Sequence, residues 1–258
     1  YACIFGKSHL EHVKKQLRIT PEENLNRILK SILFLRQNGI KVFYDAEHFF
    51  DGFKDNPDYA LRTLKAAIEA GAERLVLCDT NGGTLPDKAG EIIKITKEKL
   101  KFPLGVHFHD DCGLALANTL ASLDYIIQVQ GTINGLGERV GNLNFSEFLP
   151  VYAKKLGREV RVDLRRLKKV NEKAFRLTGI DISDSRAFVG DTAFAHKGGV
   201  HIDAKQKGAS YEHVNPEDFG NKAVTLLTTL GGRAGVVSVA SQFGYALDKK
   251  DPDVQKRV

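Results

Sequence analysis

The 258-residue sequence contains no methionine, three cysteines and seven prolines, and none of its apolar runs is long. Each shortage excludes something. A helix that spans a bilayer needs about 18 or more consecutive apolar residues, and Tyr1 to Lys7 lack the charged and apolar regions of a secretory leader. The expectation is a soluble chain with no membrane partner. Cys3, Cys78 and Cys112 are odd in number and have no C-x-x-C spacing, which excludes a disulfide framework and points to a reducing compartment, the cytoplasm. The missing methionines, including any at position 1, are expected of a fragment, a processed chain, or a sequence from which modified methionines were skipped.

What is present is ordinary for a globular protein: 42% hydrophobic and 27% charged residues, which exclude disorder and fibrous repeats. A chain of this length buries about three quarters of its unfolded surface. It needs no metal to hold it together, so a metal would serve chemistry. The net charge is +6, but lysines alternate with acids along helical stretches such as Lys94, Lys97, Glu98, Lys99 and Lys101. That pattern reads as solvated helix faces, not a nucleic-acid groove.

Short β-branched or aromatic runs alternate with segments of helical period in repeats of about 30 residues, the size of a βα unit. The strand candidates are Ile4–Phe5, Val42–Tyr44, Leu75–Cys78, Leu104–Phe108 and Ile127–Ile133. The helix after Thr20-Pro21-Glu22-Glu23 has an N-cap, a proline and acids in its first turn, and it stops at Gly39. Further helices open at Asn56-Pro57, run from Asp87 to Leu100, and run from Gly113 to Leu123. Polar and glycine residues gather directly after the strands. That placement suits both a (β/α)8 barrel and a doubly wound sheet. Five strand units are present where a barrel needs eight. After about Ser146 helices dominate, and the segment 181–258 reads as a helical linker or lid subdomain that follows the α/β segment 1–180.

Four constellations carry chemistry. In Gly105-Val106-His107-Phe108-His109-Asp110-Asp111, residues two apart on a strand share a face, so His107 and His109 project together at its carboxyl end. Two converging imidazoles suit a divalent metal, with Asp110 or Asp111 able to orient a ring. Gln130 to Asn142 packs four glycines around Glu138 and Arg139 and fits a tight turn as well as a ligand-approach loop. Asp79-Thr80-Asn81-Gly82-Gly83-Thr84 could hold a carboxylate or phosphate, and fits plain turn chemistry nearly as well. Phe194 to Asp203, with Tyr211-Glu212-His213 beyond, could bring a proton-transfer group over the site or be a surface histidine cluster.

These motifs, with Tyr44-Asp45-Ala46-Glu47-His48-Phe49-Phe50-Asp51-Gly52, occur in an order that resembles the 2-isopropylmalate, homocitrate and citramalate synthase family, over nearly all of Ile4 to about Gly235. The Tyr44 to Gly52 segment most resembles the bacterial citramalate synthase branch. The resemblance implies a (β/α)8 barrel followed by a small helical lid. It also implies Claisen-type condensation of acetyl-CoA with a small α-keto acid, most simply pyruvate, then thioester hydrolysis. It implies a divalent metal (Zn, Mg or Mn), a homodimer and a cytoplasmic location. By motif position, His107, His109 and Asn142 are expected metal ligands. Glu138 is the acid beside the metal and acetyl group, Thr80 holds the keto-acid carboxylate, Glu47 borders the substrate side chain, and His201 with Tyr211 transfers the proton. The family's opening Thr-Leu-Arg-Asp-Gly strand, with its arginine and metal aspartate, is not in this sequence, so about three βα units and the regulatory domain are expected to be missing. Leu123 to Ile127 reads about one residue short of the family's helix-to-strand turn. A hydroxymethylglutaryl-CoA lyase-like enzyme and a non-enzymatic interaction module are the competing readings.

Overall fold

A computed structural model describes residues 1–180, 183–196, 212–226 and 233–247. The contacts divide the chain into two compact units, Tyr1–Phe145 and Ser146–Val258.

The first unit is built on five parallel strands: β1 (Ala2–Lys7), β2 (Val42–Glu47), β3 (Arg74–Asp79), β4 (Leu104–Phe108) and β5 (Gln128–Gln130). Their spatial order is the chain order, β1-β2-β3-β4-β5. A doubly wound sheet reverses its order at a switch point. No reversal occurs here, so the winding is that of a barrel. The curvature agrees. Gln130 on β5 donates to Asp45 on β2 at 3.1 Å, although a flat sheet would hold those strands three spacings of about 4.8 Å apart. The sheet is therefore curled, with Asp45 and Gln130 on its concave face.

The two faces follow from the strand period of two. Along β2, Val42, Tyr44 and Ala46 are buried under the helices, while Phe43, Asp45 and Glu47 alternate with them on the concave side. Leu104, Val106 and Phe108 do the same on β4, which leaves His107 facing inward. The covering helices have local causes. In α2 (Pro21–Gln37) the Thr20 hydroxyl accepts the Glu23 N–H at 3.1 Å and Pro21 starts the first turn. Ile32, fully buried on that helix, contributes about 1.5–3 kcal/mol of apolar burial. Asn56 caps α4 (Pro57–Glu69) through the Tyr59 N–H, and Leu64 and Ala67 are buried from it. A single turn, α1 (Leu10–His12), runs on into a wider turn at Val13–Leu17, α3 (Phe49–Asp55) follows β2, and α5 (Pro86–Leu100) and α6 (Ala115–Ser122) flank β4.

Strand bounds differ from the sequence expectation: β1 and β2 run on to Lys7 and Glu47, and β5 is shorter. The strand expected to reach Ile133 ends at Gln130, and Ile133–Gly135 is a 3-10 turn with Asn134 left-handed at φ 62°. The chain turns because Gly131 lies against the Leu143 carbonyl, to which Thr132 N–H then donates at 2.9 Å.

The second unit contains α7 (Phe145–Lys154), α8 (Leu167–Thr178), a two-residue strand pair of β6 (Ala195–His196) with β7 (Val224–Thr225), and α9 (Arg233–Gln242). Its core is Leu167, Phe188, Val189, Phe194 and Phe219. Sequence reading has the strand pattern fade after about Ser146 and a lid subdomain begin near Asp181; contacts divide the chain at Phe145/Ser146. Leu167 ties α8 into the Phe188 and Phe219 core, and the Ser146 hydroxyl ties the start of α7 to Asn171 at 2.6 Å. Among the described residues no helix is long and apolar enough to cross a membrane.

Candidate active site

His107 and His109 stand at the carboxyl end of β4 with ring centroids 5.1 Å apart. The chain beyond β5 folds back so that Asn142 pairs with His109 in an isolated antiparallel bridge. Asn142 spends its amide nitrogen on the Leu136 carbonyl at 3.0 Å. Its Oδ1 is buried, with no hydrogen-bond partner among the described residues, and so is His109 Nδ1. Burial, the neighbouring His107 ring and the Arg139 guanidinium hold the His109 ring below its ordinary value, with Asp111 and the Gly141 carbonyl acting the other way. At neutral pH that ring offers a lone pair. His107 is anchored differently: its Nδ1 lies 2.7 Å from Gln130 Oε1. The expectation that Asp110 or Asp111 orients a ring is corrected. Asp110 accepts the Ala115 N–H at the start of α6, and Asp111 is taken by Arg139.

The glycine-rich loop closes on itself. A Cβ at Gly137 would fall 2.1 Å from Asn142 Nδ2, and one at Gly141, where φ is 103°, would fall 1.9 Å from the Gly135 carbonyl. These glycines make room for the loop's own backbone and for Asn142. Arg139, left-handed at φ 57°, reaches out of the loop and forks onto Asp111, Nε to Oδ1 at 2.7 Å and Nη2 to Oδ2 at 2.8 Å. The same Nη2 donates to the Thr80 carbonyl at 2.8 Å. One guanidinium thus clamps the loops after β3, β4 and β5. The fork holds the Asp111 carboxyl below its ordinary value. Gly82 (φ 65°) lets the β3 loop close against Asp111. Glu138 sits beside Arg139 on the exposed side of this loop.

The Thr80 hydroxyl accepts the His48 N–H at 2.8 Å, which leaves its proton to donate. Asp79 is buried and serves the turn, accepting Thr84 N–H at 3.1 Å and the Thr84 hydroxyl at 2.9 Å. Glu47, at the end of β2, pairs with Lys7 of β1 at 2.8 Å. Deeper on the concave face, Asp45 Oδ1 accepts from Cys3 Sγ at 3.0 Å and Gln130 Nε2 at 3.1 Å. Desolvation beside Asp45 pushes the Cys3 thiol up to about 12, and burial raises Asp45 while those two donors hold it down.

Sequence reasoning missed three features: Gln130 as the ring partner, Asp45 behind it, and a second histidine cluster. His9, His12 and His48 stack in series, with centroids 4.6 Å and 4.1 Å apart. His9 Nε2 meets Asp55 at 2.9 Å. This cluster joins the end of β1 to the end of β2, two places 35 or more residues apart, so spacing could not show it. In the second unit His196 Nε2 lies 3.1 Å from Glu212. His201 and Tyr211 fall outside the described residues.

The donors present suit a divalent ion: two imidazoles and a buried amide oxygen that has no other partner among the described residues. Leaving such an atom unmatched costs about 1–3 kcal/mol. The set is partial. Among the described residues no group of three or more His, Cys, Asp or Glu could hold a metal ion.

Fold and site together define a barrel-type α/β protein with polar groups at the carboxyl ends of its strands. The profile described as HMGL-like matches residues 3–173, and one described as homocitrate synthase post-HMGL domain-like matches residues 188–257. The chain belongs to the HMGL-like family. It is 47% identical to the (R)-citramalate synthase of Geobacter sulfurreducens over 96% of this chain and 48% of that protein. The (R)-citramalate synthase of Aquifex aeolicus is 46% identical over 99% and 49%. The 2-isopropylmalate synthase of Sulfolobus acidocaldarius is 35% identical over 92% and 61%. The chain thus spans about half the length of the citramalate synthases it matches. Among solved structures, hydroxymethylglutaryl-CoA lyase from Pseudomonas aeruginosa aligns with a TM-score of 0.62 at 20% identity, over 69% of this chain and 63% of that one. That likeness speaks for the barrel fold.

Proposed function

We propose that this chain is part of an acyltransferase that condenses acetyl-CoA with pyruvate to give citramalate, and that it holds most of the metal and keto-acid site. The observation that carries the reading is the His107, His109 and Asn142 cluster, placed at the carboxyl end of a barrel strand in a chain 47% identical to a citramalate synthase. A divalent ion (Zn, Mg or Mn) bound there would polarise the keto-acid carbonyl as a Lewis acid.

The chain's own groups supply the rest. His107, His109 and Asn142 would hold the ion. The Thr80 hydroxyl, oriented by the His48 N–H, donates toward the keto-acid carboxylate. Glu47, fixed by Lys7, borders the substrate's side chain. Glu138 stands by the acetyl group. His201 and Tyr211 are proposed to take the methyl proton of acetyl-CoA. The new carbon–carbon bond joins that methyl carbon to the keto carbon, and water then cleaves the thioester to release CoA. The protein is proposed to be cytoplasmic and dimeric.

The test is CoA release by the protein that carries this chain, given acetyl-CoA, a divalent metal and one keto acid at a time. Turnover with pyruvate above that with 2-oxoisovalerate or 2-oxoglutarate is expected. Preference for 2-oxoisovalerate would make it a 2-isopropylmalate synthase, the reading that the 35% relative favours. No turnover with any of the three would overturn the proposal.

A further inference from the structure

His107 and Gln130 are direct register partners on β4 and β5, so both side chains stand on the concave face. Their strands sit close. A Cβ at Gly105, two residues before His107, would lie 3.0 Å from the Gln128 side chain and 3.3 Å from its carbonyl. The contact that results, His107 Nδ1 to Gln130 Oε1 at 2.7 Å, is short for a hydrogen bond between neutral groups.

Which atom of the Gln130 amide faces His107 is decided one step further along. Asp45 Oδ1 is an acceptor: the Cys3 thiol donates to it at 3.0 Å, and the far end of Gln130 lies 3.1 Å away. An amide oxygen there would set two acceptors against each other. The amide NH2 must therefore face Asp45, which turns Oε1 toward His107 and requires the proton on His107 Nδ1. In the uncharged ring the lone pair is then on Nε2. This matters because an imidazole binds a cation only through its unprotonated nitrogen, and the hydrogen bond made by the other nitrogen selects which one that is.

We propose that Gln130, held in one orientation by Asp45, is a positioning residue that fixes His107 in the Nδ1–H tautomer and presents Nε2 to the metal. This deepens the functional reading above and rests on His107 being a ligand. Neither residue follows from the ligand motif. Each is found only by tracing the hydrogen bonds from His107 across the sheet.

The experiment uses the protein that carries this chain, with metal-free imidazole nitrogen NMR and calorimetric titration of Mn2+. In the unsubstituted protein His107 shows Nδ1 protonated and Nε2 unprotonated. Gln130→Met, nearly isosteric and unable to accept, mixes the tautomers and weakens Mn2+ binding by about 10- to 100-fold, the usual effect of losing a ligand's supporting hydrogen bond. Asp45→Asn frees the Gln130 amide to turn and moves both readouts the same way. The double variant Asp45→Asn, Gln130→Glu reverses the roles: the new amide donates to the new carboxylate, which accepts from His107. It restores the Nδ1–H tautomer and most of the affinity. A protonated Nε2 in the metal-free unsubstituted protein would overturn the proposal, as would unchanged Mn2+ affinity in folded Gln130→Met or Asp45→Asn. His107→Ala separates the two levels: if it leaves Mn2+ affinity unchanged, the metal reading itself fails, whatever the tautomer.

Discussion

Two histidine clusters stand at the carboxyl ends of the same sheet and are built on opposite principles. At the end of β4, His107 and His109 have polar surroundings: a glutamine on one ring, and an amide oxygen without a partner among the described residues near the other. At the ends of β1 and β2, His9, His12 and His48 stack ring on ring, and their Nδ1 atoms are buried with no hydrogen-bond partner among the described residues. The first arrangement holds lone pairs ready for a ligand. The second uses imidazoles as flat packing surfaces, and burial disfavours the charged form of His12 and His48. Histidine content alone says nothing about function; what surrounds each ring does.

The sharpest way to break this contrast is to delete one ring from each cluster. If the proposed function holds, His107→Ala lowers divalent-metal affinity by about 100-fold or more and CoA release by about 1000-fold, since it removes a ligand where the ion would polarise the carbonyl. His12→Phe, which keeps a flat ring between His9 and His48, leaves metal affinity unchanged and shifts the melting temperature by a few degrees at most, about 1 kcal/mol or less. Parallel calorimetric titrations and thermal melts measure both. Equal losses of affinity would erase the distinction between the clusters.

The next effect is on stability. Burial lowers the His48 ring from 6.5 to about 4, helped by the positive charges of His12 and Lys7 and opposed by Glu47 and Asp51. Burial and the charges of His9 and Lys7 lower His12 in the same direction. Below the ordinary value of 6.5 the unfolded chain therefore takes up a proton that the folded chain refuses. The stability that depends on a neutral His48 is complete above that value, falls as pH drops, and is gone near 4, where the folded ring also protonates. The loss is about 2 kcal/mol, discounted for the part of the ring that water reaches. Denaturant midpoints between pH 7 and pH 4.5 measure it, and His48→Phe is expected to flatten this part of the profile. An unchanged profile in that variant would mean the stack is not what titrates.

How much of this could be read from the sequence depended on distance along the chain. The pair His107 and His109 was visible because the strand period sets residues two apart on one face. The covering helices announced themselves through Thr20-Pro21 and Asn56-Pro57, and the five strand units were all there. Asn142 and Thr80 entered through motif resemblance, because nothing local marks the Asn142 oxygen as lacking a partner among the described residues or sets the Thr80 hydroxyl on the His48 N–H, 32 residues away. Gln130 and Asp45 were silent: they are 85 residues apart and meet only because the sheet curls. Nothing in the Gln130 to Asn142 segment marks the partner of Arg139, whose left-handed backbone turns it to Asp111, 28 residues back. The glycines around it suited a tight turn and a ligand-approach loop equally, and the room they make is taken by the loop's own carbonyl and by Asn142.

That clamp offers the gentlest probe. The His48 stack is held by burial, which salt does not screen, whereas the His107 end is tied to its neighbours by the partly exposed Arg139–Asp111 fork. Arg139→Lys keeps the charge but cannot span both Asp111 oxygens and the Thr80 carbonyl at once. Its expected cost in stability is about 0.5–1 kcal/mol, small because water reaches the pair. Its functional signature is more specific. On the proposed function, a less firmly placed Thr80 raises KM for the keto acid by about 3- to 10-fold while kcat holds, the mark of lost ground-state binding. In unsubstituted protein, raising salt from 0.05 M to 0.5 M moves KM in the same direction and leaves the pH midpoint set by His48 where it was. A fall in kcat at constant KM would place Arg139 in the chemical step, and no change in either would reduce the fork to a surface ion pair.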